Sequence, residues 1–312
     1  MKRIIGLILF LFNGLTFSVS LKNVVVFGDS LSDNGNLYEY MQHQLPLSPP
    51  YFEGRFSNGP LWVEHVLNFY FPETPEKHLL DYAFGGAGVS LDPNTEMLFT
   101  LDHEIDSYLL SHQEKVDAQS LFVVWVGANN YLDLENQSEQ TVIEVNEGIK
   151  HSLQRLADAG ALHILIFNLP DLGKTPYAKL VNARELLTRA TTSHNQQLAL
   201  TINQLQHDNP GVQWLSFDVN ALLNSFLIEP QRFGFTNVDS TCYESMAAMP
   251  ILTQYSKYSM VKVASRININ SRQDHCEGYL FFDPIHPASR AHELMANHVQ
   301  QLLDKSGIIL RD

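Results

Sequence analysis

The chain of 312 residues is 45% apolar and 17% charged, which predicts a packed core and excludes a disordered or low-complexity protein. Its 34 acidic residues against 20 basic ones give a net charge of −14, and no run of Lys or Arg is longer than two. This acidity argues against nucleic-acid binding and against electrostatic anchoring on anionic membranes, while contact with lipid through an apolar surface stays open.

The first twenty residues have the pattern of a secretory signal peptide. Lys2 and Arg3 precede the apolar run Ile4–Phe12, and Ser18–Ser20 offers small residues for cleavage. The alternative is a membrane anchor, but polar residues from Asn13 onward end the run well short of the ~20 apolar residues that span a bilayer. We therefore expect residues 1–20 to be removed on export and residues 21–312 to form a single domain.

Two cysteines, Cys242 and Cys276, follow late in the chain. In an exported protein, such a pair forms a disulfide more often than it stays as two free thiols. Both lie in the irregular stretch 229–283, which is longer than an ordinary connection. Connections of that length usually have a function or are held in place by a cross-link. No Cys-x-x-Cys motif or histidine-rich cluster suggests a metal.

Short apolar strands alternate with longer amphipathic helices along the chain. Strands are predicted at Asn23–Phe27, at a weaker segment near His78–Ala83, and at Leu121–Val126, His163–Asn168 and Val212–Phe217. Helices are predicted at Gly59–Tyr70, Met97–His112, Ser138–Ala159, Pro176–His207 and Pro287–Lys305. The alternation predicts an α/β fold, a three-layer α/β/α sandwich with a parallel sheet of about five strands.

The first of these strands leads directly into the segment GDSLSD, residues 28–33. Ser30 then lies just beyond the carboxyl end of a parallel strand, at the edge where open α/β sheets bind ligands. If a helix begins there, its N–H groups and dipole would favour a developing anion, and the alternative is that Ser30 is only an N-cap. The segment is not the Gly-x-Ser-x-Gly elbow, because Ser32 takes the place of the second glycine.

A carboxylate and an imidazole, Asp283 and His286, lie three residues apart in the proline-stiffened segment FFDPIHP. A serine becomes an effective nucleophile when a base removes its proton and a third group fixes the tautomer of that base. Ser30, His286 and Asp283 have the residue types for these three roles. Taken alone, the pair is equally compatible with a helix-capping Asp and a structural His.

Two further segments suit the stabilisation of an oxyanion. Asp81–Gly88 (DYAFGGAG) follows the weak strand, and its glycines allow a backbone N–H to approach a ligand closely. Gly127–Asn130 (GANN) follows the next strand and contains Asn129, which offers a side-chain N–H donor. Each segment alone is compatible with a tight turn, but both belong at the sheet edge that carries Ser30.

Together, the segments FGDSLSDNGN, YAFGGAG, VGANNY and FFDPIHP resemble the sequence blocks of the GDSL lipases, also called SGNH hydrolases. The resemblance continues through residues 51–64, 167–176 and 233–242, so it covers nearly all of the chain beyond the leader. It implies a flavodoxin-like α/β/α fold and carboxyl-ester hydrolysis without a metal or other cofactor. It also implies that Ser30 is the nucleophile, that His286 is the general base and then the general acid, and that Asp283 orients His286.

The resemblance further implies an oxyanion hole with three donors. These are the N–H of Ser30, the N–H of Gly86 with Gly85 as the alternative register, and the side chain of Asn129. One departure is visible, because Asn130 stands where the family often has Asp. This change puts the local hydrogen bonding in doubt rather than the chemistry.

Within the family, the length, leader, GRFSNGPLWVE segment and late cysteine pair are most similar to secreted bacterial phospholipases A and lysophospholipases A (PlaA-type) and to glycerophospholipid:cholesterol acyltransferases. The similarity implies release of fatty acid from lysophospholipid or phospholipid, peripheral contact with membranes or micelles, and a sterol as a competing acceptor. It implies a secreted protein, with the periplasm as the second location. The alternatives are an esterase for short-chain or acetylated-sugar esters and a non-catalytic secreted binding protein.

The loop between Cys242 and Cys276 ends close to Asp283 in sequence. It combines methionine and tyrosine side chains, which suit an apolar ligand, with basic residues that an activating secreted protease would cleave: Lys257, Lys262, Arg266 and Arg272. We expect either a disulfide-tethered lid over the site or a purely structural staple.

Overall fold

A computed structural model describes residues 18–92, 94–95, 97–134, 138–243 and 276–311. Most of the expected signal segment, residues 1–17, and the expected lid, residues 244–275, lie outside the described residues, so both stay predictions. Within the expected leader, Val19 and Ser20 belong to a short strand, β1 (Val19–Leu21).

Five parallel strands form the central sheet, as the sequence predicted. They are β2 (Asn23–Gly28), β3 (Leu79–Asp81), β4 (Ser120–Trp125), β5 (His163–Phe167) and β6 (Gln213–Phe217). Their spatial order is β3-β2-β4-β5-β6. The chain therefore reverses its direction across the sheet between β2 and β4, and the crevice at such a switch point is the usual ligand site of an open α/β sheet.

The described residues also contain nine α-helices. They are α1 (Asn36–Tyr40), α2 (Trp62–Tyr70), α3 (Leu101–Ser111), α4 (Ala128–Leu132), α5 (Glu139–Asp158), α6 (Pro176–Leu180), α7 (Arg184–Asp208), α8 (Val219–Ile228) and α9 (Ser289–Lys305). None of the helices in this part of the chain has the length and hydrophobicity needed to cross a membrane.

Alternating side chains of the strands divide the core into two apolar layers. Val24, Val26 and Trp125 face the layer that α2, α8 and α9 cover. Val25 and Phe27 face the opposite layer, which α3, α5 and α7 cover. Because both faces of the sheet are buried, the strands are apolar at consecutive positions. The predicted three-layer sandwich is thereby confirmed.

One predicted helix is wrong in its extent, and one helix was not predicted. The helix expected over 176–207 is two helices, since Asn182 adopts a left-handed φ of 54° and ends α6. Helix α8 was not predicted, although its apolar positions have helical spacing and Asp218 caps it by accepting the N–H of Ala221.

Part of the stretch expected to be irregular, residues 229–283, has regular structure. Strands β7 (Asn237–Thr241) and β8 (Tyr279–Phe281) pair in parallel. Cys242 and Cys276 form the expected disulfide, with their Cα atoms 5.1 Å apart. The N–H of Cys242 donates to the carbonyl of Phe281, so the disulfide is attached next to β8. A last strand, β9 (Ile308–Leu310), pairs with β1.

Candidate active site

Ser30 lies in a tight turn immediately after β2, at the switch point of the sheet. The Asp29 carbonyl accepts the N–H groups of Ser32 (2.9 Å) and Asp33 (3.0 Å), and the Asp29 carboxyl accepts the N–H of Leu31 (3.1 Å). No helix begins at Ser30, because α1 starts further along the chain. The expected helix start and the N-cap alternative are therefore wrong, and hydrogen bonds to Asp29 position the serine instead.

Asp283 and His286 lie in the turn that follows β8. Asp283 Oδ1 accepts the N–H groups of Ile285 (2.8 Å) and His286 (2.7 Å), and the His286 carbonyl accepts the N–H of Phe282 (2.9 Å). An Asp side chain that binds backbone N–H groups further along the chain is a common way to close a turn. The turn holds the carboxyl and the imidazole in one fixed relation.

Ser30, His286 and Asp283 form a continuous chain of hydrogen bonds. The Oγ atom of Ser30 is 2.8 Å from Nε2 of His286, and Nδ1 of His286 is 2.6 Å from Oδ2 of Asp283. Because a carboxylate can only accept, Nδ1 carries the proton and Nε2 accepts the hydrogen bond from the Ser30 hydroxyl. All three residues are at most 4% exposed, so bulk water does not compete for these bonds.

Asp283 is ionised although it is buried. Burial alone would raise its pKa, but the charge of His286 and hydrogen bonds from His286 and from the Tyr51 hydroxyl (2.7 Å) hold the pKa below its ordinary value. Sequence reasoning missed Tyr51, which lies far from Asp283 along the chain in a proline-rich segment without a periodic pattern. No local signal in the sequence identifies this contact.

The backbone N–H of Gly86, rather than that of Gly85, is available for an oxyanion. Gly85 donates its N–H to Oδ2 of Asp33 (2.7 Å), whereas the N–H groups of Gly86 and Ser30 have no acceptor among the described residues. Gly86 adopts a φ of 83°, a left-handed conformation that side chains disfavour. This arrangement favours Gly86 over the alternative register.

Asn129 and Asn130 at the start of α4 have separate tasks. Asn129 donates one side-chain N–H to the carbonyl of Ala87 (2.7 Å), which joins β4 to the glycine loop and leaves the second Nδ2 hydrogen for a ligand beside Ser30. Asn130 accepts the N–H of Val89 (2.9 Å) and donates to the carbonyl of Val89 (2.8 Å). An Asp could not make the second of these bonds, so the departure from the family pattern is locally satisfied.

Three further buried carboxyls, Asp29, Asp33 and Glu104, lie around the nucleophile turn, and we call them the acidic floor. Burial raises the pKa of Asp29 to about 7 and that of Asp33 to about 6. Burial, with like charge from Asp81 and Asp29, raises the pKa of Glu104 well above its ordinary value. Glu104 Oε2 accepts the N–H of Gly28 (2.7 Å), but Oε1 has no partner among the described residues. The raised pKa favours the neutral, protonated form of Glu104 to higher pH than for an ordinary Glu.

A pocket of about 780 Å³, measured out to its open mouth, contains Ser30, Asn129 and His286 in its wall. The rest of the wall is almost wholly apolar. It comes from the ends of the sheet strands, from the turn that carries Asp283 and His286, and from helices α4, α8 and α9. Its apolar residues include Trp125, Leu132, Leu223, Phe226, Leu280 and Met295. No Lys or Arg is among the described residues that line this pocket.

Comparison with known proteins identifies the family of the chain. A family model described as GDSL-like lipase/acylhydrolase matches residues 24–299. The chain is 32% identical to a phosphatidylcholine-sterol acyltransferase of Aeromonas hydrophila, over 88% of this chain and 87% of that protein. It is 26% identical to the secreted effector protein SseJ of Salmonella typhimurium, over 88% of this chain but only 61% of that protein.

Among solved structures, the native aryl esterase of M. smegmatis superposes with a TM-score of 0.49 at 13% identity, over 91% of this chain and 99% of that one. The family match spans both the turn that carries Ser30 and the turn that carries His286. The chain therefore belongs to the GDSL family of lipases and acylhydrolases and is an ester hydrolase.

Proposed function

We propose that the protein releases long-chain fatty acids from lysophospholipids and phospholipids through an acyl-serine intermediate, and that it transfers the acyl group to a sterol when one is present. The apolar pocket beside Ser30 is the observation that carries this proposal. Burial of each methylene group is worth about 0.8 kcal/mol, so such a wall favours a long acyl chain over an acetyl group. Because no described lining residue is a Lys or Arg, the pocket suits the acyl chain and not a phosphate head group.

In the acylation step, His286 Nε2 takes the proton of Ser30 as Oγ attacks the ester carbonyl carbon. The carbonyl oxygen gains a negative charge and accepts hydrogen bonds from the N–H groups of Ser30 and Gly86 and from Asn129. Asp283 stabilises the imidazolium that forms. When the C–O bond of the leaving alcohol breaks, His286 donates its proton to that alcohol, which leaves as glycerophosphodiester or lysophospholipid.

The acyl group then rests on Ser30 in the same pocket. Water gives up a proton to His286 and attacks the acyl carbon, which releases the fatty acid and restores the Ser30 hydroxyl. A sterol hydroxyl reacts by the same route and yields a sterol ester. The similarity to an acyltransferase named for a phosphatidylcholine-sterol reaction supports this second outcome.

A lipid panel with mass-spectrometric detection tests the substrate class. Long-chain lysophosphatidylcholine, phosphatidylcholine, p-nitrophenyl acetate and acetylated xylan are each offered with and without cholesterol. We expect free long-chain fatty acid in the absence of cholesterol and cholesteryl ester in its presence, with Ser30→Ala inactive on all substrates. Preference for the acetylated compounds would replace the proposal with a short-chain esterase, and full activity of Ser30→Ala would remove the assigned nucleophile.

A substitution in the apolar wall of the pocket tests whether that wall sets the preference for long acyl chains. Leu223→Phe fills the pocket and should lower the rate on long-chain lipid at least about tenfold while hydrolysis of p-nitrophenyl acetate continues. The matched control is Leu187→Phe, which adds the same volume to the opposite core layer. Equal loss on both substrates in both variants would show a stability effect and would contradict the role of the pocket.

We also propose that the protein acts outside the cytoplasm. The Cys242–Cys276 disulfide supports this location, because such bonds persist in oxidising compartments. Fractionation of the producing cells and N-terminal sequencing of the recovered protein test both the location and removal of residues 1–20.

A further inference from the structure

The hydroxyl of Tyr51 donates to the catalytic carboxyl from a segment that precedes α2. Its oxygen is 2.7 Å from Oδ2 of Asp283, and the whole residue is 1% exposed. The ring packs edge-on against Phe56 and Phe282, at centroid distances of 5.8 and 5.1 Å. Because packing fixes the ring, the hydroxyl is directed at the carboxyl without relying on solvent.

Asp283 receives four hydrogen bonds, two on each oxygen. Oδ1 accepts the N–H groups of Ile285 and His286, while Oδ2 accepts Nδ1–H of His286 (2.6 Å) and the Tyr51 hydroxyl. Among the described residues, His286 is its ion-pair partner and no Lys or Arg takes part. Tyr51 therefore shares with the catalytic imidazole the same oxygen of a buried carboxylate.

We propose that Tyr51 is a positioning residue that orients Asp283, weakens the hold of that carboxylate on the imidazole proton, and so sets the acid limb of the activity profile. The inference rests on the proposed roles of Ser30, Asp283 and His286. A hydrogen bond to Oδ2 disperses part of the negative charge that holds the imidazolium proton. With Tyr51 in place, the carboxylate attracts that proton less strongly, and the acid limb of the activity profile lies at lower pH than it would without the hydroxyl.

The other titratable groups around the imidazole are unchanged in a Tyr51 variant, so a shift of its acid limb reports on Tyr51. Nδ1 of His286 faces Asp283, which also accepts the Tyr51 hydroxyl, while Asp29 in the nucleophile turn and His292 on α9 interact electrostatically with the imidazole. The pKa of Asp29, about 7, lies within the pH range of the assay. Burial lowers the pKa of His292 to about 3, so it is neutral at working pH. Burial and the charge of Asp283 raise the pKa of Tyr51 well above its ordinary value, so Tyr51 stays a neutral donor.

The test is the pH profile of Tyr51→Phe, which keeps the ring and removes only the hydroxyl. Two rates are followed from pH 5 to pH 9: kcat/KM on a soluble ester, and labelling of Ser30 by a fluorophosphonate. We expect the midpoint of the acid limb to move upward by about half a unit or more in both assays. The plateau rate should fall about threefold to thirtyfold because the carboxylate is less well oriented.

The matched control is Tyr70→Phe, because Tyr70 donates to Asp304 (3.0 Å) in an exposed pair outside the site. That variant should keep the wild-type profile. An unmoved acid limb in a folded Tyr51→Phe protein overturns the proposal, even if the plateau rate falls. A wild-type protein that the fluorophosphonate does not label, and that hydrolyses no ester, overturns the proposed catalytic roles as well.

A second measurement covers the case in which Tyr51→Phe does not fold. Replacement of the tyrosines by 3-fluorotyrosine makes each hydroxyl a stronger donor while keeping its shape. The acid limb should then move to lower pH, opposite to the effect of Tyr51→Phe. No movement, or movement to higher pH, overturns the proposal.

Discussion

Asp283 and Glu104 are both buried carboxyls that accept backbone N–H groups within the active site, but their charge states differ. Asp283 has four donors, one of them an imidazole that becomes a cation, and its pKa is lowered. Glu104 accepts one N–H at 2.7 Å, has like-charged neighbours, and its pKa is raised. The number of donors and the presence of a cationic partner, rather than burial, decide which carboxyl is charged.

This difference has a chemical consequence for the nucleophile. In the proposed mechanism, the ionised Asp283 stabilises the imidazolium that forms during attack. Glu104, which accepts the N–H of Gly28 two residues before Ser30, has a raised pKa and therefore keeps its proton to higher pH than an ordinary Glu. The site thus favours the charged form of the carboxyl beside His286 and the neutral form of the carboxyl beside Gly28.

Substitution at Asp283 should give the largest effect. Asp283→Asn replaces one acceptor oxygen with an NH₂ group and favours the wrong tautomer of His286, so kcat should fall by about 10³–10⁴. Hydrolysis of a soluble ester, with a thermal unfolding curve to confirm folding, measures this loss. A variant that keeps more than about a tenth of the wild-type turnover would show that Asp283 does not serve His286.

Asp33 is intermediate between Asp283 and Glu104, because its carboxyl accepts several hydrogen bonds but has no cationic partner among the described residues. Its Oδ1 accepts the N–H groups of Gly35 and Asn36, and its Oδ2 accepts those of Leu37 and Gly85. Asp33→Asn turns two of these bonds into donor–donor contacts and should lower the free energy of unfolding by about 2–4 kcal/mol.

Urea unfolding measures the Asp33 effect. The exposed Asp92, which accepts the N–H of Asn94 (2.9 Å), supplies the control variant Asp92→Asn, for which we expect a change below about 0.5 kcal/mol. Equal effects of the two substitutions would mean that the Asp33 bonds contribute little to the stability of the glycine loop.

The acidic floor should make stability fall as pH rises. The pKa of Asp29 is raised from 3.8 to about 7, so the folded state binds this proton more tightly than the unfolded chain does. The stability that the proton supplies is complete below about pH 4 and is lost as pH rises towards 7. Asp283 acts in the opposite sense, because its lowered pKa supplies stability that is lost as pH falls through the acid range.

Glu104→Gln should give the smallest effect and isolates one member of the floor. Because the neutral acid already resembles an amide, the free energy of unfolding at pH 5 should change by about 1 kcal/mol or less. At pH 8 the variant should be more stable relative to wild type than it is at pH 5, since it has no proton to lose. The control is Glu185→Gln at an exposed position. An identical effect of Glu104→Gln at both pH values would contradict a raised pKa.

Local patterns were sufficient for the sheet and for the residues of the candidate site. Consecutive apolar positions located β2, and parallel strand ends explain why Ser30 and Asn129 line the same pocket. Tyr51 and Glu104 could not be found in this way. Tyr51 reaches Asp283 from 232 residues away, and Glu104 occupies a position on α3 that looks like an ordinary polar site in sequence.

Helix α8 is a different kind of omission, because its signal is present. The apolar positions of this helix recur at helical spacing behind the capping Asp218, and four of them line the pocket: Val219, Leu222, Leu223 and Phe226. This pattern is sufficient to predict the helix that forms part of the pocket wall.

The catalytic chain joins a serine near the beginning of the sequence to a histidine near its end, 256 residues apart. A ribosome therefore releases the nucleophile long before it releases the base. Until the turn at Asp283 and His286 has emerged and folded, a nascent chain carries a serine with no group to activate it. Under the proposed roles, synthesis itself thus delays ester hydrolysis until residues 283–286 have left the ribosome.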